Sequence, residues 1–289
     1  INNIFLKKKI LIYGLGKSGI STYNFLRQKA KVNLFDDNPE KSLRFDEKSL
    51  SFTKILKCDF DFIIISPGID FSKCKLSKYL KQNSSKVYTD LDVFYSFFGN
   101  DSVTITGTNG KSTTAKLLYD VLRDQKKDAR LVGNIGNPIL SEKKIINKTF
   151  FVIEASSYQL EYSKIFKSKY SVILNITPDH IERHKNFKNY IEAKFRLLDS
   201  QTTQSIAFVK RNDPVIIKKL RSKKYKQKII KIDTSLQPPI FKKIRNKYFM
   251  SSGNRENLIF VLKICQILNL NNKKLLRTIN KFKGLKYRQ

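Results

Sequence analysis

The chain has 289 residues, 40% of them hydrophobic, and 57 Lys and Arg against 24 Asp and Glu give it a formal charge of +33. That length and apolar content allow two domains with a core each, and they leave no long stretch that reads as disordered. The apolar runs, such as 62–65 and 258–264, fall far short of a membrane span, and no signal-peptide pattern opens the chain, so no membrane partner and a cytoplasmic location are expected. Cys58, Cys74 and Cys265 are odd in number and scattered, which excludes a disulfide framework and a cysteine metal site. The basic charge is densest over 218–247, where twelve Lys or Arg face only Asp233. Such a surface attracts polyanions, but no helix-turn-helix, zinc finger or aromatic RNA-binding signature accompanies it, and the excess runs through both halves. Specific nucleic-acid binding is therefore not expected, whereas help in gathering anionic substrates such as nucleotides is.

Residues 9–13 read as a strand that enters Gly14-Leu15-Gly16-Lys17-Ser18-Gly19, and 32–35 read as a second strand ending at Asp36-Asp37. This is a Rossmann-type opening in which glycines permit a tight turn and the acid takes a ribose or base donor. On its own the pattern leaves NAD, another nucleotide or a plain α/β turn open. Residues 61–65 form a further apolar strand leading to Ser66-Pro67-Gly68-Ile69, a loop at a carboxyl edge where ligands bind in open α/β sheets. The first domain is expected to end near residue 97.

A strand at 103–106 then runs into Gly107-Thr108-Asn109-Gly110-Lys111-Ser112-Thr113, and Ala115, Leu118 and Leu122 give the next segment a helical stripe. Backbone N–H groups of such a turn and the dipole of the following helix hold a polyphosphate, the lysine reaches the outer phosphates, and the hydroxyl reaches Mg²⁺. The glycine spacing departs from the usual P-loop, and a glycine turn capped by Ser112 or Thr113 is the plainer alternative. Strand-like runs at 151–153, 172–176 and 205–209 alternate with helical stretches, which predicts a second, parallel-rich α/β domain. Residues 254–282 read as two helices.

Glu154 follows the 151–153 strand, where an Mg²⁺ near the phosphates needs a hard oxygen ligand; a cap or a solvated acid is the alternative. His180 lies at a strand's carboxyl end, a position suited to a metal-facing role. Lys194 falls on the apolar stripe of 187–198 with Phe187, Ile191 and Leu198. It either snorkels to water or presents an amine of lowered pKa that reacts or pairs with a ligand.

These motifs, with Gly133-Asn134-Ile135-Gly136, the run Glu154-Ala155-Ser156-Ser157-Tyr158-Gln159-Leu160-Glu161 and the 175–184 turn, resemble the Mur ligase family over nearly the whole chain. Within that family they are similar to the branch that adds D-glutamate to UDP-N-acetylmuramoyl-L-alanine in peptidoglycan synthesis. The resemblance implies an α/β protein with a Rossmann-like N-terminal domain (1–97) holding the UDP group and a P-loop-type ATP-binding central domain (98–283). Residues 284–289 would begin a third, amino-acid-binding domain. It places Leu15, Gly16, Asp36, Asp37, Ser66 and Gly68 around the UDP group, with Asn134, Gln159 and His180 toward the muramoyl-alanine part. It assigns ATP to the 107–113 loop with Asn254, Asn257 and Arg288, and Mg²⁺ to Ser112, Glu154, His180 and a carbamate on Lys194. Catalysis would rest on Lys111, Glu154, His180 and Lys194, in a monomer.

The chain departs from the family at Gly253, where a histidine is usual, and at Lys286-Tyr287, where Pro-His is usual. Its start at Ile1 and its stop at Gln289 suggest a missing beginning and a missing third domain, so nucleotide binding with poor ligation is expected. Another Mur or folylpolyglutamate-type ligase, a non-catalytic nucleotide-binding module and a nicotinamide dehydrogenase are the rival readings.

Overall fold

Four short runs pair in parallel to build the first sheet: β1 (Lys9–Tyr13), β2 (Lys31–Phe35), β3 (Phe62–Ile65) and β4 (Val87–Tyr88), in the order β2-β1-β3-β4. The computed structural model describes residues 3–45 and 47–285. The central strands are covered on both faces, which is why Ile10 to Tyr13 and Ile63 to Ile65 are continuously apolar rather than alternating. Helices α1 (Lys17–Leu26), α2 (Pro39–Leu43), α3 (Phe52–Leu56), α4 (Ser77–Gln82) and α5 (Asp90–Phe97) complete the connections. Because β1 continues to β2 on one side and β3 to β4 on the other, the loops after β1 and β3 flank a topological switch point.

The second sheet has six parallel strands, β5 (Ser102–Thr106), β6 (Ala129–Gly133), β7 (Phe150–Glu154), β8 (Tyr170–Ile173), β9 (Ile206–Lys210) and β10 (Lys228–Ile232). Their order is β10-β9-β8-β5-β7-β6. Its helices are α6 (Lys111–Asp124), α8 (Ile181–His184), α9 (Phe187–Asp199), α10 (Pro214–Arg221), α11 (Ser252–Ile267) and α12 (Asn272–Lys281), while α7 (Ser157–Glu161) follows β7 in the chain but belongs to the first unit. The expected stripe of α6 is buried, and Leu117 and Val121 join it in one core with Leu258, Val261 and Ile264 of α11 and Leu275 and Ile279 of α12. Each such side chain contributes about 1.5–3 kcal/mol by leaving water. Asn186 caps α9 and Asp213 caps α10, each accepting backbone N–H groups of the first turn.

The strand expected over 172–176 ends at Ile173, and the next residues become a loop. Asp213 explains part of this, since its Oδ2 accepts from Ile176 N at 3.0 Å, so the chain after β8 is tied to the start of α10. The edge strands β6 and β10 and the short β4 add to the strands expected from the sequence. Lys-Ile-Ile-Lys-Ile in β10 mixes charge into the apolar run, as edge strands do.

The division expected at residue 97 is not a single cut. Asn137–Lys144 and Ser157–Phe166 fold with the first unit, and the second comprises Asn100–Gly136, Ile145–Ser156 and the chain from Lys167. The physical reason lies in two buried acids at the start of α5. Asp92 is fully buried and closes a capping box with Thr89. Its Oδ1 also accepts from Ser163 Oγ and from the N–H groups of Lys164, Ile165 and Phe166 at 2.8–3.0 Å. Asp90, 4% exposed, is hydrogen-bonded by the side chains of Gln159 and Ser18 and by Leu91 N. Burial raises the Asp90 carboxyl to about 6 against these stabilising bonds.

Candidate nucleotide site

Gly110 is the residue on which the phosphate loop turns. It takes φ +84° as the N-cap of α6, and a Cβ there would meet Asn257 Oδ1 at 2.1 Å. Glycine is thus required twice, by conformation and by close approach. Gly110→Ala is expected to weaken binding of a non-hydrolysable ATP analogue about tenfold, since left-handed backbone costs a side chain about 1–2 kcal/mol and Asn257 must also move. Calorimetric titration of both proteins checks this.

The loop is clasped by the chain that follows β8. Asn175 Oδ1 accepts from Thr108 N at 3.1 Å and Asn109 N at 2.9 Å, and its amide donates to Asn109 O. Thr108 Oγ1 meets Thr177 O and Tyr190 Oη, each at 3.1 Å. Ordered in this way, the loop has its geometry before any ligand arrives, which lowers the cost of binding. Asn175 opens the 175–184 turn, and a polar residue after an apolar run is the signal in the sequence that points to such a clasp.

Two lysines converge on one carbonyl. Lys111 Nζ donates to Gly107 O at 2.9 Å and Thr108 O at 2.7 Å, and Lys194 Nζ donates to Gly107 O at 2.8 Å. Lys194 is 1% exposed and lies 4.5 Å from the Tyr190 ring, so the inward stripe position is real and the snorkelling alternative fails. Burial first, and the Lys111 charge second, bring its pKa down to about 7, with Asp179 and Glu154 pulling the other way. An amine poised there is a nucleophile near neutral pH.

Glu154 is fully buried at the end of β7. Its Oε1 accepts from Asn134 Nδ2 at 2.8 Å, whereas Oε2 is buried without a hydrogen-bond partner. An orphaned carboxylate oxygen is costly unless a cation or ligand donor completes it, so this residue fits a hard metal ion. His180 is half-exposed in left-handed backbone (φ 52°), with Nε2 3.5 Å from Asp179 Oδ2. His184, not His180, is the buried histidine, held down to about 4 by burial and by the charges of Arg183, Lys194 and His180. Ser112 is 3% exposed in the first turn of α6. Among the described residues no group of three or more His, Cys, Asp or Glu side chains gathers to hold a metal. Glu154 is thus the buried carboxylate of the expected donor set, with the Ser112 hydroxyl at the start of α6.

Further along, Asn257 is 6% exposed against Gly110, and Asn254 donates to Tyr248 O at 3.0 Å. Arg288, with Lys286 and Tyr287, lies outside the described residues.

In the first unit, Asp36 Oδ2 accepts from Leu15 N at 2.6 Å and Oδ1 from Asn38 N at 2.9 Å. Asp37 Oδ1 accepts from Tyr13 Oη at 2.6 Å, and Lys75 N approaches its Oδ2 at 3.3 Å. Both acids thus hold the glycine turn and its neighbours in place, with their oxygens already engaged. Burial and the Asp37 contact together push the Tyr13 phenol well above its ordinary value. Ser66 Oγ donates to Gly14 O at 2.6 Å, joining the two switch-point loops, while Gly16 and Gly68 have open space at their Cβ positions. Gln159 is 2% exposed and turned toward Asp90.

Residues 105–271 match the family model of the Mur ligase middle domain, and residues 8–87 match that of the MurD-like N-terminal domain of Mur ligases. Among curated proteins, the chain is 32% identical to the UDP-N-acetylmuramoylalanine–D-glutamate ligase of Rickettsia bellii, over 99% of this chain and 68% of that protein. It is 33% identical to the protein of the same name from a Thermoanaerobacter species, over 89% of this chain and 59% of that one. Its fold is like the crystal structure of UDP-N-acetylmuramate:L-alanyl-γ-D-glutamyl-meso-diaminopimelate ligase from Neisseria meningitides, with a TM-score of 0.64 at 13% identity, covering 96% of this chain and 99% of that one. UDP-N-acetylmuramate–alanine ligase from Thermotoga maritima matches with a TM-score of 0.53 at 16% identity, over 96% and 69%.

Proposed function

The chain belongs to the Mur ligase family, and we propose that it serves the ATP-dependent joining of D-glutamate to UDP-N-acetylmuramoyl-L-alanine in peptidoglycan synthesis. The observation that carries this is the convergence of Lys111 and Lys194 on Gly107 O beside a preordered phosphate loop. The curated relatives supply the branch. In this reading the N–H groups at the start of α6 and Lys111 hold the outer phosphates and neutralise the charge that grows as the alanine carboxylate attacks the γ-phosphorus. ADP leaves as the acyl phosphate forms, and the D-glutamate amine then attacks the acyl carbon, giving up a proton and releasing phosphate to leave an amide.

Glu154, Ser112 and His180 would hold Mg²⁺, which when bound supplies charge neutralisation at the phosphates. Lys194 is read as carbamylated: its neutral amine adds to CO₂ and loses a proton, turning a donor into a carboxylate-like oxygen ligand. In the first unit the loops after β1 and β3, with Leu15, Gly16, Ser66 and Gly68, are read as the UDP contacts. Asp36 and Asp37 act there by shaping the turn. Asn134 serves by fixing Glu154, and Gln159 and His180 are kept as candidate contacts to the muramoyl-alanine part. A cytoplasmic monomer is the setting proposed; among the described residues no helix is long and apolar enough to cross a membrane.

Calorimetric titration with UDP-N-acetylmuramoyl-L-alanine, and separately with Mg²⁺ and a non-hydrolysable ATP analogue, tests the reading. Binding of both, with UDP-N-acetylglucosamine much weaker and NAD inert, is expected. Binding of NAD in preference to the muramoyl nucleotide would reject it.

A further inference from the structure

The phosphate loop has two flanks of opposite chemistry. Gly107, at its start, packs against Leu174 and Asn175 and receives Lys194, and the charged groups Lys111, Asp179 and Glu154 act on Lys194 at that end. Gly110, at its far end, meets Asn257 of α11, and Thr113 of α6 meets Tyr248, its Oγ1 lying 3.3 Å from the phenol Oη. The side chains seen against Gly110 and Thr113, Asn257 and Tyr248, are uncharged and polar. A triphosphate whose outer phosphates lie at the charged flank must carry its nucleoside toward the uncharged one. The phenyl body of Tyr248 is held by Phe249 and Phe282, each with ring centroids 5.3 Å away. Gly284 packs onto the same ring so closely that a Cβ there would come within 2.5 Å. Packing of this kind is equally served by phenylalanine, so the hydroxyl is what calls for a role. Its contact with Thr113 is longer than the 2.7–2.8 Å usual for hydroxyl pairs, which leaves the phenol proton available to a better acceptor.

We propose that Tyr248 is a nucleotide-contact residue whose hydroxyl donates to the α-phosphate of ATP, alongside Thr113, and so sets the nucleoside end of the site. This rests on the ATP reading above. Calorimetric titration of the parent chain and of Tyr248→Phe with ADP and with a non-hydrolysable ATP analogue, each with Mg²⁺, is the test. The variant is expected to bind both about five- to tenfold more weakly, the loss of one hydrogen bond to a charged group. Its melting temperature and its affinity for UDP-N-acetylmuramoyl-L-alanine should not change. The same loss should persist when Tyr248→Phe is combined with Thr113→Val, as a direct contact requires. Affinity within twofold of the parent, or a loss that vanishes in the Thr113→Val background, would overturn the proposal. A parent chain that binds neither adenine nucleotide would instead overturn the ATP reading, and this contact with it.

Discussion

Asp92→Ala is expected to lower the unfolding free energy of the first unit by about 4 kcal/mol, measured by urea titration followed by hydrogen exchange at 163–166. The carboxylate accepts six hydrogen bonds: from Thr89 N and Oγ1 through Oδ2, and from Ser163 Oγ and the N–H groups of 164, 165 and 166 through Oδ1. Removing it strands three consecutive loop N–H groups and a capping box, and each buried orphan costs about 1–3 kcal/mol. Some of that is recovered as water enters the space. Asp92→Asn should cost about half as much, because the amide oxygen still serves the cluster at Oδ1 while the NH₂ confronts Thr89 N. Equal protection at 164–166 in Asp92→Ala and the parent would show that the segment is held by packing instead.

What could be read in advance follows from how local each signal is. A glycine turn between an apolar strand and a helical stripe is written in consecutive residues, so the phosphate loop and the Gly14 to Gly19 turn were legible, as was the inward face of Lys194. Asp92 was not. An acid in the first turn of a helix is ordinarily a dipole partner or a cap, and its other donors come from residues more than seventy positions away. The same distance hid the membership of 157–166 in the first unit, since α7 follows β7 in sequence but hangs from Asp90 and Asp92. Asp36 shows a different limit. Its place at the end of β2 marks it as important in any Rossmann-like turn, but only the fold brings Leu15 N and Asn38 N to its oxygens. Glu154 lies between these cases, because its strand-end position was visible and its orphaned oxygen was not.

Lys194→Met should abolish ligation while leaving the fold more stable, a combination that separates a functional lysine from a structural one. The folded pKa of about 7 lies below the ordinary 10.5, so between these values the unfolded chain binds the extra proton and stability rises with pH. Below pH 7 the group is charged in both states and the whole burial cost is present; above 10.5 it is neutral in both and the cost is gone. At about 1.4 kcal/mol per unit the cost is roughly 3–5 kcal/mol near pH 7. Loss of the bond to Gly107 O and of the contact with the Tyr190 ring returns about a third of this, so a gain of about 2–3 kcal/mol is expected at pH 7 in CO₂-free buffer. The gain should shrink as pH rises toward 10. With Mg²⁺ present, adding bicarbonate should stabilise the parent but not the variant, because a carbamate on Lys194, as proposed above, would replace the buried cation by an anionic oxygen ligand. A Met variant less stable than the parent across the whole range would mean that Lys194 is a net structural contributor, and the assignment of a lowered pKa to its site would fall.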